Sequence, residues 1–288
     1  MYTADVSHIE AYLNELMERR ATDLHIAAGS PPMIRIDGSL QPLHGSEPLT
    51  PEETTLIVDR LVGPDDLDRF NEDRQLDFSF PWGDQARFRA NAYYQRNSPA
   101  VALRLIPTDI PTPQQLGLPD VWQKIVKKPH GLVLATGPTG SGKSTSQAAM
   151  IAEIAATRAC HILTIEDPIE YMQHSKMALV NQREVGTDVP DFAQGLRAAL
   201  REDPDVVLVG ELRDLETIAL TLTLAETGHL VFGTLHTNDA AQTVDRLIDV
   251  FPHDQQAQVR TQLSMSLVAV IAQRLIPRIG GGRVAAFE

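Results

Sequence analysis

A single cysteine, Cys160, stands in the 288-residue chain, so it can build neither an internal disulfide nor a thiolate zinc site. Its setting in ACHILTIED, where a helical pattern gives way to a strand pattern, suits a small buried residue. Aromatic residues are scarce at 5%. The first domain is not read as offering the basic, aromatic-rich platform that single-stranded nucleic acid needs. Positive charge is short as well: 25 Lys and Arg face 38 Asp and Glu, for a net charge of −13. That balance disfavours gripping DNA or RNA by its backbone, and also charge-driven docking on anionic lipid. No apolar run reaches the ~18 residues that suggest a membrane span, so no transmembrane segment is expected. The opening MYTADVSHIEAYLNELMERR is polar, acidic and helix-patterned, unlike a secretory signal. Internal repeats and low-complexity tracts are lacking too. The expectation is a soluble, cytoplasmic chain, long enough for two domains.

Proline is unevenly spread. The stretch 107–119, PTDIPTPQQLGLP, holds four prolines, which block helix and ladder formation, so it reads as an interdomain linker. Before it, residues 1–106 read as a small α+β domain on an antiparallel sheet. A helical pattern covers Ile9 to Arg19, and further helices are expected at Pro51–Leu61 and Asp65–Phe70. Strand patterns cover Met33–Asp37, Leu76–Phe80, Ala86–Tyr94 and Ala100–Ile106, with a turn at Asp37-Gly38. After the linker, residues 120–288 change rhythm. Apolar strands at 131–136, 161–166, 206–210 and 229–235 alternate with helices near 143–157, 191–201, 215–227 and 240–250. That alternation implies a parallel sheet covered on both faces, whose ligands bind at the strands' carboxyl ends. Residues 254–275 read as one further helix, and Val284–Phe287 as the start of a strand.

Against that background one stretch carries the chemistry. Gly137-Pro138-Thr139-Gly140-Ser141-Gly142-Lys143-Ser144-Thr145 fits G-x-x-x-x-G-K-[ST], between a strand pattern and a helix pattern. Such a loop aims backbone N–H groups and a helix N-terminus at a polyphosphate. Lys143 would reach the outer phosphates, and Ser144 would offer its hydroxyl to Mg²⁺. A plain glycine turn would not need Lys-Ser at that place, so the chain reads as a binder of a nucleoside triphosphate.

Other candidates follow strand ends. DVVLVGE (205–211) ends in Glu211, placed to hold Mg²⁺ or polarise an attacking water. LTIEDPIE (163–170) ends in three carboxylates, of which Glu166 directly follows its strand and best suits a general base. Asp167 and Glu170 fit roles in holding the loop. HLVFGTLHT (229–237) brackets a strand with His229 and His236, and His236 stands at the ligand-binding end. Arginines remain open between salt bridging and catalysis. Arg87, Arg89 and Arg104 fall on first-domain strands, and Arg197, Arg201, Arg213 and Arg246 on the second domain. A planar cation supplied from a neighbouring subunit would suit the charge of a γ-phosphate in transit.

These residues resemble a known family, the secretion and pilus motor ATPases. LRAALREDPDVVLVGELRD (196–214) looks like its hallmark, TIEDPIEY (164–171) like its Asp box, and GHLVFGTLHTNDA (228–240) like its His box. Near the start, TDLHI (22–26) and GSPPMIRIDGSLQPL (29–43) resemble its N-terminal motifs. The likeness is greatest to the type IV pilus retraction ATPases, with an accessory pilus ATPase paralogue as the alternative. It implies an α/β, RecA-like P-loop domain preceded by a small PAS-like domain, with ATP and Mg²⁺ as cofactors. It further implies a homohexamer, cytoplasmic and peripheral to the inner membrane at the pilus base. Its partners there would be a platform protein and an accessory pilus ATPase, and no nucleic acid. Matched by motif, residues 137–145 would hold ATP, Ser144 and Glu211 the metal, Glu166 the base and His236 the γ-phosphate sensor. Arg89 and Arg104 would reach the neighbour's nucleotide. Gln147 stands where relatives often carry a small or apolar residue, an exchange expected to be harmless. Relatives continue into helices with an AIRNLIRE-like motif, so the second domain is expected to be cut short at Glu288.

Overall fold

The computed structural model describes residues 7–36, 38–83, 86–106, 109–279 and 283–288. The expected turn at Asp37 and the first two linker residues, Pro107 and Thr108, lie outside them. The chain divides into two compact units, Met1–Thr108 and Asp109–Glu288.

In the first unit the order is α1 (Ser7–Glu18), β1 (Asp23–Ile26), β2 (Met33–Ile36), β3 (Ser39–Pro42), α2 (Pro51–Val62), α3 (Leu67–Asp73), β4 (Gln75–Trp82), β5 (Ala86–Gln95) and β6 (Ser98–Ile106). Its six strands pair antiparallel in the order β3-β2-β1-β6-β5-β4. Period-2 patterning sets the faces: Phe88, Ala90 and Ala92 of β5 are buried with Leu103, Leu24 and Ile34. The alternate residues face the other way, and the register sets Arg89 opposite Arg104, Arg104 opposite Asp23 and Asp23 opposite Arg35. The helix α2 begins where sequence chemistry demands, at a capping box. Thr50 Oγ1 accepts from the Glu53 N–H at 3.2 Å, and Glu53 accepts from the Thr50 N–H at 2.7 Å, with Pro51 at the first turn. Thr50→Ala is expected to cost about 1 kcal/mol of stability, seen as a lower unfolding midpoint. An unshifted midpoint would remove the box from the account.

The second unit runs α4 (Trp122–Ile125), β7 (Gly131–Thr136), α5 (Lys143–Thr157), β8 (His161–Glu166), β9 (Leu179–Glu184), α6 (Phe192–Ala199), β10 (Val206–Val209), α7 (Leu215–Glu226), β11 (Leu230–Leu235), α8 (Ala240–Asp249), α9 (His253–Ser266), β12 (Leu267–Pro277) and β13 (Arg283–Phe287). The sheet order is β13-β12-β7-β11-β10-β8-β9, parallel throughout except for β13 at the edge. Strands β7, β10 and β11 are buried along their whole length, as helices on both faces require. One core packs α5 and α4 against Val133, Leu208 and Phe232; the other packs α6 to α9 against Leu134, Val209 and Val231.

Three departures from the sequence reading have physical causes. The helix expected over 254–275 stops at Ser266, and Leu267–Pro277 is the strand β12. Val268, Val270 and Ile271 are β-branched, and β7 offers an open parallel edge that this run fills. Gly131 marks the junction: a Cβ there would lie 2.5 Å from Val268 Cγ2. The strands β1, β3 and β9 have no local periodicity long enough to announce them, being fixed by long-range partners. Lastly, the Pro-rich stretch is not free along its length. Leu118 is buried with Trp122 and Ile125 in the second unit's core, and Leu116 packs against the same cluster.

Candidate nucleotide site

The glycine-rich loop joins β7 to α5, at the carboxyl end of the parallel strands. Gly142 caps α5 with φ 90°, and Gly140 turns with φ 76°, conformations that favour glycine. Gly137 has a second reason to lack a side chain: with φ 141°, its Cβ would lie 2.2 Å from the Gln273 carbonyl oxygen of β12. Gln273 is buried and its Oε1 accepts from Ser146 Oγ at 2.8 Å, so the last parallel strand props the loop from beneath. Gln147, which the sequence left as a harmless exchange, is 2% exposed. Its Nε2 donates to the Gly233 carbonyl at 3.0 Å, tying α5 to β11.

Lys143 is buried at the start of α5, and its Nζ donates to the Gly137 carbonyl at 2.8 Å and the Pro138 carbonyl at 3.2 Å. Burial pulls its ammonium below the usual lysine range, and the Glu211 carboxylate opposes that shift. The two hydrogen bonds of Lys143 to loop carbonyls are of the kind that phosphate oxygens can replace. Ser141 Oγ is buried within the loop and has no hydrogen-bond partner among the described residues. Ser144 is exposed beside the loop, and Thr145 Oγ1 lies 2.8 Å from the Tyr171 hydroxyl.

Glu211 follows β10 and meets two cations or donors. Arg213 Nη2 stands 2.6 Å from Oε2, and His236 Nε2 stands 3.3 Å from Oε1. Burial pushes the Glu211 carboxyl up, but Arg213 and His236 more than offset it, so it stays below its ordinary value. Strands β10 and β11 are fastened here by the Thr234 hydroxyl donating to the Gly210 carbonyl and the Leu212 N–H donating to the Thr234 carbonyl. Gly210 keeps the neighbouring strand close: a Cβ there would lie 3.2 Å from the Glu166 Cα.

Glu166 ends β8 and is buried in a polar nest. Thr164 Oγ1 donates to its Oε1 at 2.7 Å and Gln182 Nε2 at 3.1 Å, while the Glu170 N–H reaches Oε2 at 3.4 Å. Burial pushes its carboxyl above the usual range, and these hydrogen bonds only partly restrain the shift. A carboxylate held in this way binds a proton more readily than an exposed glutamate does.

Lys143, Glu211 and His236 thus meet electrostatically at one sheet end, with Glu166 packed against Gly210 next to Glu211. His229, at the opposite end of β11, is satisfied within its own turn, its Nδ1 lying 2.9 Å from the Leu224 carbonyl. Arg89 and Arg104 belong to the first unit. Arg104 Nε donates to Asp23 Oδ1 at 2.7 Å, and its side chain is 68% exposed. Sequence pattern leaves Arg213, two positions beyond Glu211, open between salt bridging and catalysis, and it gives no signal for Gln182 or Gln273. A hollow of about 260 Å³ opens beside Glu211, Arg213, His236 and Arg246. A larger one of about 580 Å³ lies between α6 and α7 and includes none of the loop residues.

Among the described residues no three His, Cys, Asp or Glu side chains cluster closely enough to enclose a metal ion. An ion with one carboxylate, one hydroxyl and substrate phosphates as ligands fits this donor set, and that is the manner of Mg²⁺ in nucleotide sites. Lys143→Ala is expected to weaken ATP and ADP affinity by roughly 10–100-fold, the worth of a charge-assisted bond to phosphate. Glu211→Gln should keep binding and stop turnover. Unchanged affinity in the first variant, or normal turnover in the second, would take that residue out of the site.

A glycine-rich loop running from a central parallel strand into a helix, with acids at neighbouring strand ends, defines a nucleotide-binding α/β protein. No helix among the described residues is long and apolar enough to cross a membrane. The chain belongs to the type II/IV secretion system protein family, whose match spans residues 4–281. It is similar to the type IV pilus retraction ATPase PilT of Pseudomonas aeruginosa, at 52% identity over 268 residues, 93% of this chain and 78% of that protein. A twitching motility protein of Neisseria gonorrhoeae is 50% identical over 258 residues, 89% of this chain and 69% of its own length. Among solved structures, a crystal structure of the pilus retraction motor PilT with bound ADP aligns with a TM-score of 0.93 and 52% identity. That alignment covers 97% of this chain and 82% of the other.

Proposed function

We propose that this chain is an ATP-hydrolysing motor that powers type IV pilus retraction, the work that underlies twitching motility. The reading is carried by one coincidence. The buried Lys143 meets Glu211, and Glu211 meets the exposed His236, at one sheet end in a chain half-identical to a retraction ATPase. The second unit is read as a RecA-like P-loop domain and the first as a PAS-like domain, working as a homohexamer at the cytoplasmic side of the inner membrane. Partners would be the pilus platform protein and an accessory pilus ATPase.

In this reading residues 137–145 cradle the phosphates, and Lys143 leaves the two loop carbonyls to bind the outer ones. Ser144 and Glu211 would hold Mg²⁺, which supplies charge neutralisation at the phosphates. Glu166, with its raised proton affinity, orients and deprotonates the attacking water. His236 donates to the γ-phosphate and registers its loss through its contact with Glu211. Arg104, with Arg89 beside it on the same sheet face, supplies the planar cation to a neighbouring copy. Glu211 and Arg213 must part for Glu211 to serve the metal.

A nucleic-acid motor on the same fold is the rival reading, and the charge of −13 stands against it. Turnover measured with and without single-stranded DNA separates the two. No stimulation is expected; a several-fold rise would favour the rival.

A further inference from the structure

The turn that carries His236 is fastened by three threonine hydroxyls. Thr136 ends β7, one residue before Gly137, and its Oγ1 donates to the Thr237 carbonyl at 2.7 Å. The same oxygen lies 2.5 Å from Thr237 Oγ1. Thr237 Oγ1 lies 2.6 Å from Thr243 Oγ1 on α8. Thr243 Oγ1 donates to the Asp239 carbonyl at 2.7 Å, within the first turn of that helix. Thr136 and Thr243 are fully buried, so water does not compete for either hydroxyl.

Proton accounting makes Thr237 the deciding member. Each hydroxyl has one proton and two lone pairs. Thr136 commits its proton to the Thr237 carbonyl, and Thr243 commits its own to the Asp239 carbonyl. Both therefore present only lone pairs to Thr237. The single Thr237 proton serves either Thr136, on the strand entering the phosphate loop, or Thr243, on α8. The two short contacts are alternatives, and a rotation of one hydroxyl exchanges them.

We propose that Thr237 is a positioning residue for ATP turnover, a latch whose hydroxyl fastens the His236 turn either to the phosphate-loop strand or to α8. His236 is the next residue in the chain, and its Nε2 lies 3.3 Å from Glu211 Oε1. The Thr237 carbonyl stays tied to Thr136 in both cases, so the hydroxyl adds either a second tie to the phosphate-loop strand or a tie to α8, next to the histidine that meets the acid. The inference rests on the ATPase reading and deepens it: the same site gains a two-position coupling between the loop and α8. Thr237 touches no phosphate in this account, so the hydroxyl governs the rate of the chemical step and not the grip on nucleotide.

The test compares the whole chain with Thr237→Val, which keeps shape and removes the hydroxyl, and Thr237→Ser, which keeps the hydroxyl. Steady-state kcat and KM for ATP, ADP affinity by calorimetry and the thermal midpoint are measured for each. Thr237→Val is expected to lose about tenfold or more in kcat with KM and ADP affinity within about threefold, as for a misplaced catalytic group. Thr237→Ser should stay within about twofold of the parent in both parameters. Parental kcat in the valine variant, an equal loss in the serine variant, or a loss confined to KM would each overturn the latch. If Thr237→Val does not fold, Thr243→Val removes one of the two fastenings and should lower kcat with ADP affinity kept; unchanged kcat there overturns the proposal. A parent that does not hydrolyse ATP contradicts the ATPase reading instead, which keeps the two failures distinct.

Discussion

Replacing Glu166 by Gln is expected to cut ATP turnover by about 10²–10⁴-fold, the range for losing a positioned general base. Nucleotide affinity should hold, because Glu166 is buried in the nest of Thr164, Gln182 and the Glu170 N–H. The substitution keeps the shape, and an amide oxygen can still accept from Thr164, so a folding defect is not the expected cause. The same residue sets a pH dependence. Burial raises its proton affinity, and only the carboxylate can accept a proton from water. Turnover should therefore be full at pH above the raised pKa and fall as pH drops through it, at a pH higher than an exposed glutamate would give. In Glu166→Gln the residual rate should lose that acid limb. A variant with near-parental turnover, or one that keeps the limb unchanged, would remove Glu166 as the base.

Arg104→Ala carries the next largest expectation, a loss on the order of 10³ in turnover if it acts as a finger on a neighbour's γ-phosphate. Its bond to Asp23 uses Nε, and the side chain remains 68% exposed on the open sheet face. Arg89 lies directly opposite in the register and is the second candidate. Mixing is the sharper readout. Arg104→Ala subunits combined with Lys143→Ala subunits create interfaces in which an intact loop meets an intact arginine, so activity should partly return. No recovery at any ratio, with co-assembly verified by mass, would contradict action between subunits. A modest loss that tracks a lower unfolding midpoint would instead assign Arg104 to its structural pair with Asp23.

Much of the candidate site is legible in the sequence because its parts are contiguous. The loop 137–145 is a single run, and Glu166, Glu211 and His236 each follow an apolar strand whose pattern fixes where it ends. Parallel topology then brings those ends together, a step that needs the alternation of strands and helices and no coordinates. What escaped is what depends on distant partners. Thr136 and Thr237 stand 101 positions apart, and Ser146 meets Gln273 across 127. No periodicity announces such pairs. The boundary at Ser266 escaped for a related reason: Val259, Leu263 and Leu267 keep helical spacing, and only the empty edge of β7 makes Leu267 the start of a strand. In the first unit, β1 and β3 are four residues long, too short for alternation to outweigh competing readings. Burial decided the electrostatics as well, since the sequence ranked Glu166 by position alone, whereas its raised proton affinity comes from the core around it.

The central claim is an ATPase whose sites are completed between copies of the chain. Native mass measurement of the purified protein, with ATP turnover assayed across the separated species, tests it most directly. The expected result is a six-copy assembly that carries the turnover, with the monomer fraction silent. A monomer that hydrolyses ATP at the full rate would contradict it.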